Sequence, residues 1–397
     1  MAVKGKGGRF LSPALGLAED DSGNILAVGG TSGHLLAVAR FLPSGTPDPG
    51  FADDGLFEGG PKPPRGPGIA ITTQANGRIL ASGVKLVNES TYRGTCITLA
   101  RFMPSGILDP GFGTARPGWS STCMFVDHNL VAGMEGRSVL VGSDGKIVVG
   151  GAARWGQPRS TAIIARYLPN GKLDRTYKGD ARTHSPRRGI IEFGAKGDNY
   201  SWIWELKRVG GGKILASGAN DGRFMVARVN EDGTLDPSFG HNGMTLLDLD
   251  GSKKCECSYG AGMAVDHKRR ILVVGRTEKE FALARFHRDG SVDRSFGHNG
   301  AAKTKLEGPL QVLRVAVQHD GKIVAVGISE GQSFTVVRYR ANGELDRSFF
   351  GDGVYTTRFF GGQSSSAWDV LIDHEGRIVV GGGGPDFGEF VLMRFLP

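Results

Sequence analysis

The chain has 397 residues, a formal net charge of +8 and 64 glycines, about one residue in six. The length suits one large repeat domain or two to three ordinary ones, and glycine far above the usual ~7% without a collagen period points to many turns in an all-β repeat protein. No apolar run approaches the ~18 residues of a membrane helix, so a transmembrane segment is not expected. The opening MAVKGKGGRFLSPALG lacks the apolar middle of a signal peptide, and no basic run or recognition helix signals nucleic acid. A charge of +8 over so large a surface reads first as a solubility device, with an anionic partner as the alternative.

In chain order, residues 3–11 (VKGKGGRFL) are similar to the glycine-then-strand pattern GDGVYTT found later in the chain. Seven units follow, at about 12–60, 61–124, 125–194, 195–250, 251–305, 306–358 and 359–397. Each carries a polar turn before an apolar strand: DSGNI, ANGRI, SDGKI, GGGKI, HKRRI, HDGKI and HEGRI. Each has a further strand ending in arginine: Arg40, Arg101, Arg166, Arg228, Arg285, Arg338 and Arg394. All but the last arginine are followed eight residues later by Asp48, Asp109, Asp174, Asp236, Asp293 and Asp346. Three residues beyond stand Phe51, Phe112, Tyr177, Phe239, Phe296 and Phe349. Intervals of 53 to 65 residues between the arginines exceed a solenoid repeat and call for propeller blades. A pattern present in every unit is structural: each arginine pairs with its aspartate and locks a turn.

These residues resemble the delta-60 repeat, a bacterial β-propeller-like repeat with the approximate pattern DGKI-apolar-GG, then ARY, DG, LD and SFG. The resemblance covers nearly the whole chain and is closest in GTLDPSFGHNG, GSVDRSFGHNG and GELDRSFFGDG; LDRTYKGD departs from it, and the last unit stops at Pro397. It implies a seven-bladed β-propeller of four-stranded antiparallel blades (strands a to d from the inside out). It carries no general activity. The last unit lacks strand d, so residues 3–11 are expected to supply it and close the ring without an open edge.

Elaboration is expected on blades two to four: long b–c loops at Lys85 to Thr95 and around Arg154, Trp155 and Arg159, and an insertion at Asp180 to Arg188. Counting nine residues back from each strand b gives a ring of Leu15, Ile69, Arg137, Trp204, Ala261, Leu313 and Trp368. On inner strands this ring would surround the channel mouth, either plugging it or binding a ligand. The candidate ligand-binding residues are Tyr92, Arg137, Arg154, Trp155, Arg159, Tyr200, Trp202, Trp204 and Trp368. Flat aromatic rings stack on sugars or peptide side chains, and forked guanidinium groups hold carboxylates or sulfates. Cys96 and Cys123 fall at the ends of adjacent strands, where either a disulfide or two free thiols would fit; Cys255 and Cys257 are separated by one residue, where a bridge would be strained. No zinc spacing, nucleophile elbow or phosphate-binding glycine loop is present, and DLDGS at Asp248–Ser252 lacks the distal glutamate of a calcium loop. No catalytic residue can be named, and no metal or cofactor is expected.

The pattern favours a non-catalytic, monomeric binding protein for a glycan, peptide or protein. A polysaccharide hydrolase or lyase with catalytic residues spread over blades is the first alternative, and a structural module of a cell-envelope complex the second. The bacterial setting of the resembling repeats implies a secreted, periplasmic or cell-surface protein.

Overall fold

The computed structural model describes residues 2–3, 11–32, 34–60, 66–89, 92–114, 116–123, 132–155, 160–179, 184–194, 200–251, 258–308, 311–329, 331–359, 362–384 and 390–396. These form a seven-bladed β-propeller of antiparallel sheets, with no helix among the described residues. The chain divides into two compact units, Met1–Ile203 with Asp386–Val391, and Trp204–Pro385 with Leu392–Pro397.

In the first unit, blade one comprises Gly16–Glu19, Ile25–Gly30, Leu36–Phe41 and Leu56–Gly59, as strands a to d. Blade two comprises Gly68–Thr73, Ile79–Glu89, Tyr92–Phe102 and Trp119–Thr122. Its expected b–c loop is a correction: Lys85 to Thr95 continue strands b and c as a hairpin paired out to Glu89↔Tyr92. Blade three comprises Ala132–Val141, Ile147–Trp155, Ser160–Tyr167 and Ile190–Phe193. The insertion adds a fifth strand, His184–Arg187, outside strand d. Arg154 and Trp155 therefore belong to strand b, not to a loop.

Blade four comprises Ser201–Arg208, whose first three residues fall in the first unit, and, in the second unit, Ile214–Asn220, Arg223–Val229 and Met244–Leu247. Blade five comprises Tyr259–Val265, Ile271–Arg276, Glu280–Phe286 and Ala301–Lys305. Blade six comprises Gln311–Val317, Ile323–Ser329, Ser333–Tyr339 and Val354–Thr357. Strands a and b of blade seven are Ser366–Ile372 and Ile378–Gly383. Strand c of blade seven is Phe390–Phe395, and Ala2–Val3 pairs antiparallel with its start through Ala2↔Val391 and Val3↔Phe390. Residues 4–10 of the expected closing segment lie outside the described residues, and Leu11 is bridged to Thr31 of blade one, so the expected strand does not extend to residue 11.

Sheets pack face to face, which explains why strand b reads as an unbroken apolar run. Ile25–Gly30 and Ile378–Gly383 are buried at every position. Blades one and two share Val28, Val38, Ile71, Ala81 and Phe102 in one cluster; blades five and six share Leu272, Leu283, Val315, Ala325 and Val337 in another. Each fully buried Val, Leu or Phe contributes about 1.5–3 kcal/mol. Strands a of successive blades pack on each other, as in blades five, six and seven, and are the inner strands.

The recurring Arg/Asp/aromatic set is an inter-blade lock. The Nε of Arg40, Arg101, Arg166, Arg228, Arg285 and Arg338 donates to its aspartate at 2.6–2.9 Å. Each guanidinium also lies 4.4–4.8 Å over the aromatic ring of its own blade. The Nη1 then reaches the next blade: Arg40 donates to the Pro104 carbonyl at 2.6 Å, Arg101 to Pro169 at 2.6 Å, Arg228 to Arg288 at 2.8 Å and Arg285 to Ala341 at 2.6 Å. Charge-assisted bonds, buried or part-buried at the aspartate and mostly exposed at the neighbouring carbonyl, tie side chain, turn and neighbouring blade together.

Candidate functional site

The glycine at the end of strand b sets the geometry of strand a. A Cβ on Gly327 would lie 1.9 Å from the Gln311 carbonyl, and one on Gly382 would lie 1.9 Å from that of Ser366. Only glycine lets strand a approach so closely, and directly beyond each of these pairings strand a bulges, between Val312 and Arg314 and between Ala367 and Asp369. Bulges occur likewise at Gly68/Ala70, Gly136/Ser138 and Gly260/Met263. The residues that step out of register include Ile69, Arg137, Leu313 and Trp368, so the ring read nine residues before strand b is in these blades a line of bulges. A bulge re-aims side chains and is often found beside binding sites.

One residue further along the same strands, the second unit holds a charged cluster that the ring missed. Glu205 and Arg314 are each only 8% exposed. Glu205 Oε1 accepts from the Lys207 ammonium at 2.7 Å, and Oε2 from the Met263 N–H at 2.9 Å. Arg314 Nε stands 3.8 Å from Glu205 Oε2 and 3.7 Å from Asp369 Oδ1, and its Nη1 donates to the Leu313 carbonyl at 3.1 Å. Gly262 makes room: a Cβ there would come within 2.6 Å of Arg314 Cα and 3.2 Å of Glu205 Oε2. Burial alone would push the Glu205 carboxyl up, but Lys207 and Arg314 outweigh it and hold it below its usual range. Glu205 in turn raises the Lys207 ammonium above its ordinary value, against burial. The sequence signal was available: Glu205, Arg314 and Asp369 occupy one repeat position where blades one to three have Gly16, Ala70 and Ser138.

Trp204 and Trp368 precede Glu205 and Asp369, and both indoles are half-buried. Trp368 Nε1 donates to Ser366 Oγ at 2.8 Å. In the first unit, Trp202 is half-buried on strand a, and Tyr200 bridges Ser160 at the start of strand c of blade three. Arg137 and Arg154 converge on one carboxylate, Glu135, at 2.7 and 3.1 Å. Arg137 is thus committed to its own strand, while the Arg154 side chain remains 53% exposed. Tyr92 opens strand c of blade two and Trp155 ends strand b of blade three, but their side chains, and all of Arg159, lie outside the described residues, as do Cys255 and Cys257. Cys96 and Cys123 form a disulfide, with Cys96 inside strand c and Cys123 just past strand d. On strand d of blade three, burial pushes the Glu192 carboxyl up to about 7. Among the described residues no group of His, Cys, Asp and Glu side chains is placed to hold a metal, and no helix is long and apolar enough to cross a membrane.

A family model described as "Domain of unknown function (DUF5122) beta-propeller" matches residues 142–177, 211–239, 269–296 and 318–349. These stretches are the turn, strand b, strand c and lock of blades three to six. No curated protein matches the sequence. Among solved structures, the chain is similar to a catalytically inactive virginiamycin B lyase from Staphylococcus aureus with quinupristin, at 10% identity and a TM-score of 0.56, covering 100% of this chain and 99% of that one. It is more loosely similar to the soluble aldose sugar dehydrogenase from Escherichia coli, at 12% identity and a TM-score of 0.43, covering 100% and 98%. At such identities the likeness is one of fold, and fold does not fix function.

Proposed function

We propose that the chain is a non-catalytic binding propeller of the delta-60 kind that holds a glycan against the inner strands of its second unit. The observation that carries this reading is the pair of half-buried indoles, Trp204 and Trp368, each adjoining a carboxylate of the Glu205–Lys207–Arg314–Asp369 cluster. Indole faces stack on the apolar side of a sugar ring, while fixed donors and acceptors beside them read its hydroxyls. Lys207, with 43% of its side chain exposed, is the cation best placed to meet a carboxylate or sulfate on the ligand.

A hydrolase would need one carboxyl to carry a proton at working pH. Glu205 is held ionised, which suits a hydrogen-bond acceptor and not a general acid. Glu192 is raised far enough to carry a proton, but it stands on strand d and not with this cluster. The Cys96–Cys123 bridge supports an oxidising setting, hence a secreted, periplasmic or cell-surface protein.

The test is a glycan array followed by calorimetry, with Trp204→Ala, Trp368→Ala and Lys207→Met measured for both melting and affinity. Loss of a stacked indole should weaken binding about tenfold or more while the fold persists. Unchanged affinity in all three folded variants places the ligand elsewhere.

A further inference from the structure

A second surface stands out at the other end of strand a, where the a–b and c–d turns of blades four and five border an open groove. Its apolar lining consists of the half-buried Val209 and Val265 over the buried Leu215 and Ile271, and its walls are basic. Some of that charge is neutralised internally. Arg228 and Lys213 both pair with Asp236 at 2.6 Å, and Arg270 pairs with Asp266 at 2.7 Å. Arg208, Lys268, Arg269 and Arg288 are exposed on the same groove and have no ion-pair partner among the described residues. Asp289 is the acidic residue lining it, and its carboxylate is already held by Ser291, accepting from the N–H at 2.9 Å and the hydroxyl at 2.7 Å.

The repeat supplies an internal standard for these four positions. Arg269 stands where the other six units have Gly23, Gly77, Gly145, Gly212, Gly321 and Gly376. All seven residues have positive φ, and Arg269, at 61°, is the one with a side chain. Lys268 replaces Ser22, Asn76, Asp144, Gly211, Asp320 and Glu375. Arg288 replaces Pro43, Pro104, Pro169, Glu231 and Ala341, and Arg208 replaces Glu19, Thr73, Val141, Val265, Val317 and Ile372. None of those counterparts is a cation. The fold therefore does not need a cation at any of the four positions, and at one of them it would be better served by glycine. Yet all four departures meet on one groove. A side chain kept in the left-handed region against the local preference of its turn points to a role outside the turn.

We infer that this groove is an anion-binding surface for an acidic polysaccharide. Unpaired guanidinium groups present forked donors to carboxylate or sulfate. Val209 and Val265 offer a small apolar contact to the C–H face of a sugar ring. No Phe, Tyr or Trp lines the groove to stack a nucleobase, which sets it apart from a single-stranded nucleic-acid channel.

The test uses a variant that returns the four positions to residues found in other units: Arg208→Thr, Lys268→Asn, Arg269→Gly and Arg288→Ala. The Arg288 carbonyl that accepts from Arg228 is preserved, as Ala341 serves Arg285 in the next blade. The probes are a heparin-derived octasaccharide and an oligogalacturonate of matched length, with a single-stranded DNA oligonucleotide of equal charge as the comparison, titrated by calorimetry at low and physiological salt. The intact chain should bind at least one acidic sugar more tightly than the DNA, and the reverted variant should lose about tenfold or more in affinity. A control variant with Lys279, Arg294 and Arg347 changed to alanine should stay within about twofold. The inference is overturned if neither sugar binds, if the DNA binds as tightly as the sugars, or if the control loses as much as the reverted variant. Because the indole cluster is untouched, loss here with Trp204→Ala unaffected separates this surface from the proposed glycan site.

Discussion

Arg269 shows how a single side chain can be informative because its neighbours in the repeat are not like it. Its turn closes through the Asp266 carbonyl, which accepts the Arg269 N–H at 2.8 Å, while Asp266 Oδ1 accepts the N–H groups of Lys268 and Arg270 at 2.9 and 2.8 Å. That bonding holds the backbone at positive φ whatever stands at residue 269. Arg269→Gly removes the contact between Cβ and backbone and should raise stability by about 1 kcal/mol. The check is the urea midpoint at constant denaturant slope. A lower midpoint would mean that the arginine contributes folding contacts, and the case for a ligand role would lose its main support.

Among single strands, strand d of blade three is the departure from the common blade. It is flanked on one side by strand c and on the other by the inserted strand His184–Arg187, so Glu192 is enclosed where other blades leave an outer edge. The insertion was readable in the sequence as DARTHSPRR, but not its pairing, since its alternation is too weak to distinguish a strand from a loop. The hairpin of blade two escaped for a related reason: the sequence VKLVNESTYRGT has no clean apolar/polar alternation to distinguish extended strands from a loop. The Glu192 carboxyl titrates near 7 in the folded chain against an ordinary value of 4.5. Between those values the folded state binds more protons than the unfolded one, so stability falls as pH rises through that window. Glu192→Gln should abolish this slope and stabilise the protein at pH 8 by about 1–3 kcal/mol, allowing for partial solvent screening. Melting temperatures of both proteins from pH 4.5 to 8 decide it, and parallel curves would show that the carboxyl ionises freely.

For the molecule as a whole, the period of the seven arginines was enough to read seven blades, because each blade repeats the strand that ends in one, and six of the seven carry the lock. What repeats was legible; what breaks the repeat was legible only as a departure, without its surroundings. Trp204 and Trp368 aligned by counting, yet Glu205 and Asp369 beside them became a cluster only when the bulges brought Arg314 between them. The same locks set the acid limit of the fold. Burial alone would raise Asp109, Asp174, Asp236, Asp293 and Asp346, but turn N–H and hydroxyl donors and the paired cations outweigh it and hold all five below the usual carboxylate range. A carboxyl lowered on folding contributes stability that is fully present above its unfolded value, about 3.9, and is lost as pH falls through the folded one. Five such groups in one structure should make unfolding steeply dependent on pH below about 4, with each protonation freeing an arginine stacked on a buried ring. Asp293→Asn tests the assignment at one lock: it should destabilise the protein at pH 6 by about 2–4 kcal/mol, because Arg285 keeps only 4% of its side chain exposed and loses its charged partner. The same variant should lose less than the unmodified chain between pH 5 and 2.5, since one of the titrating groups is gone. Equal acid sensitivity in both proteins would place the acid transition outside the locks.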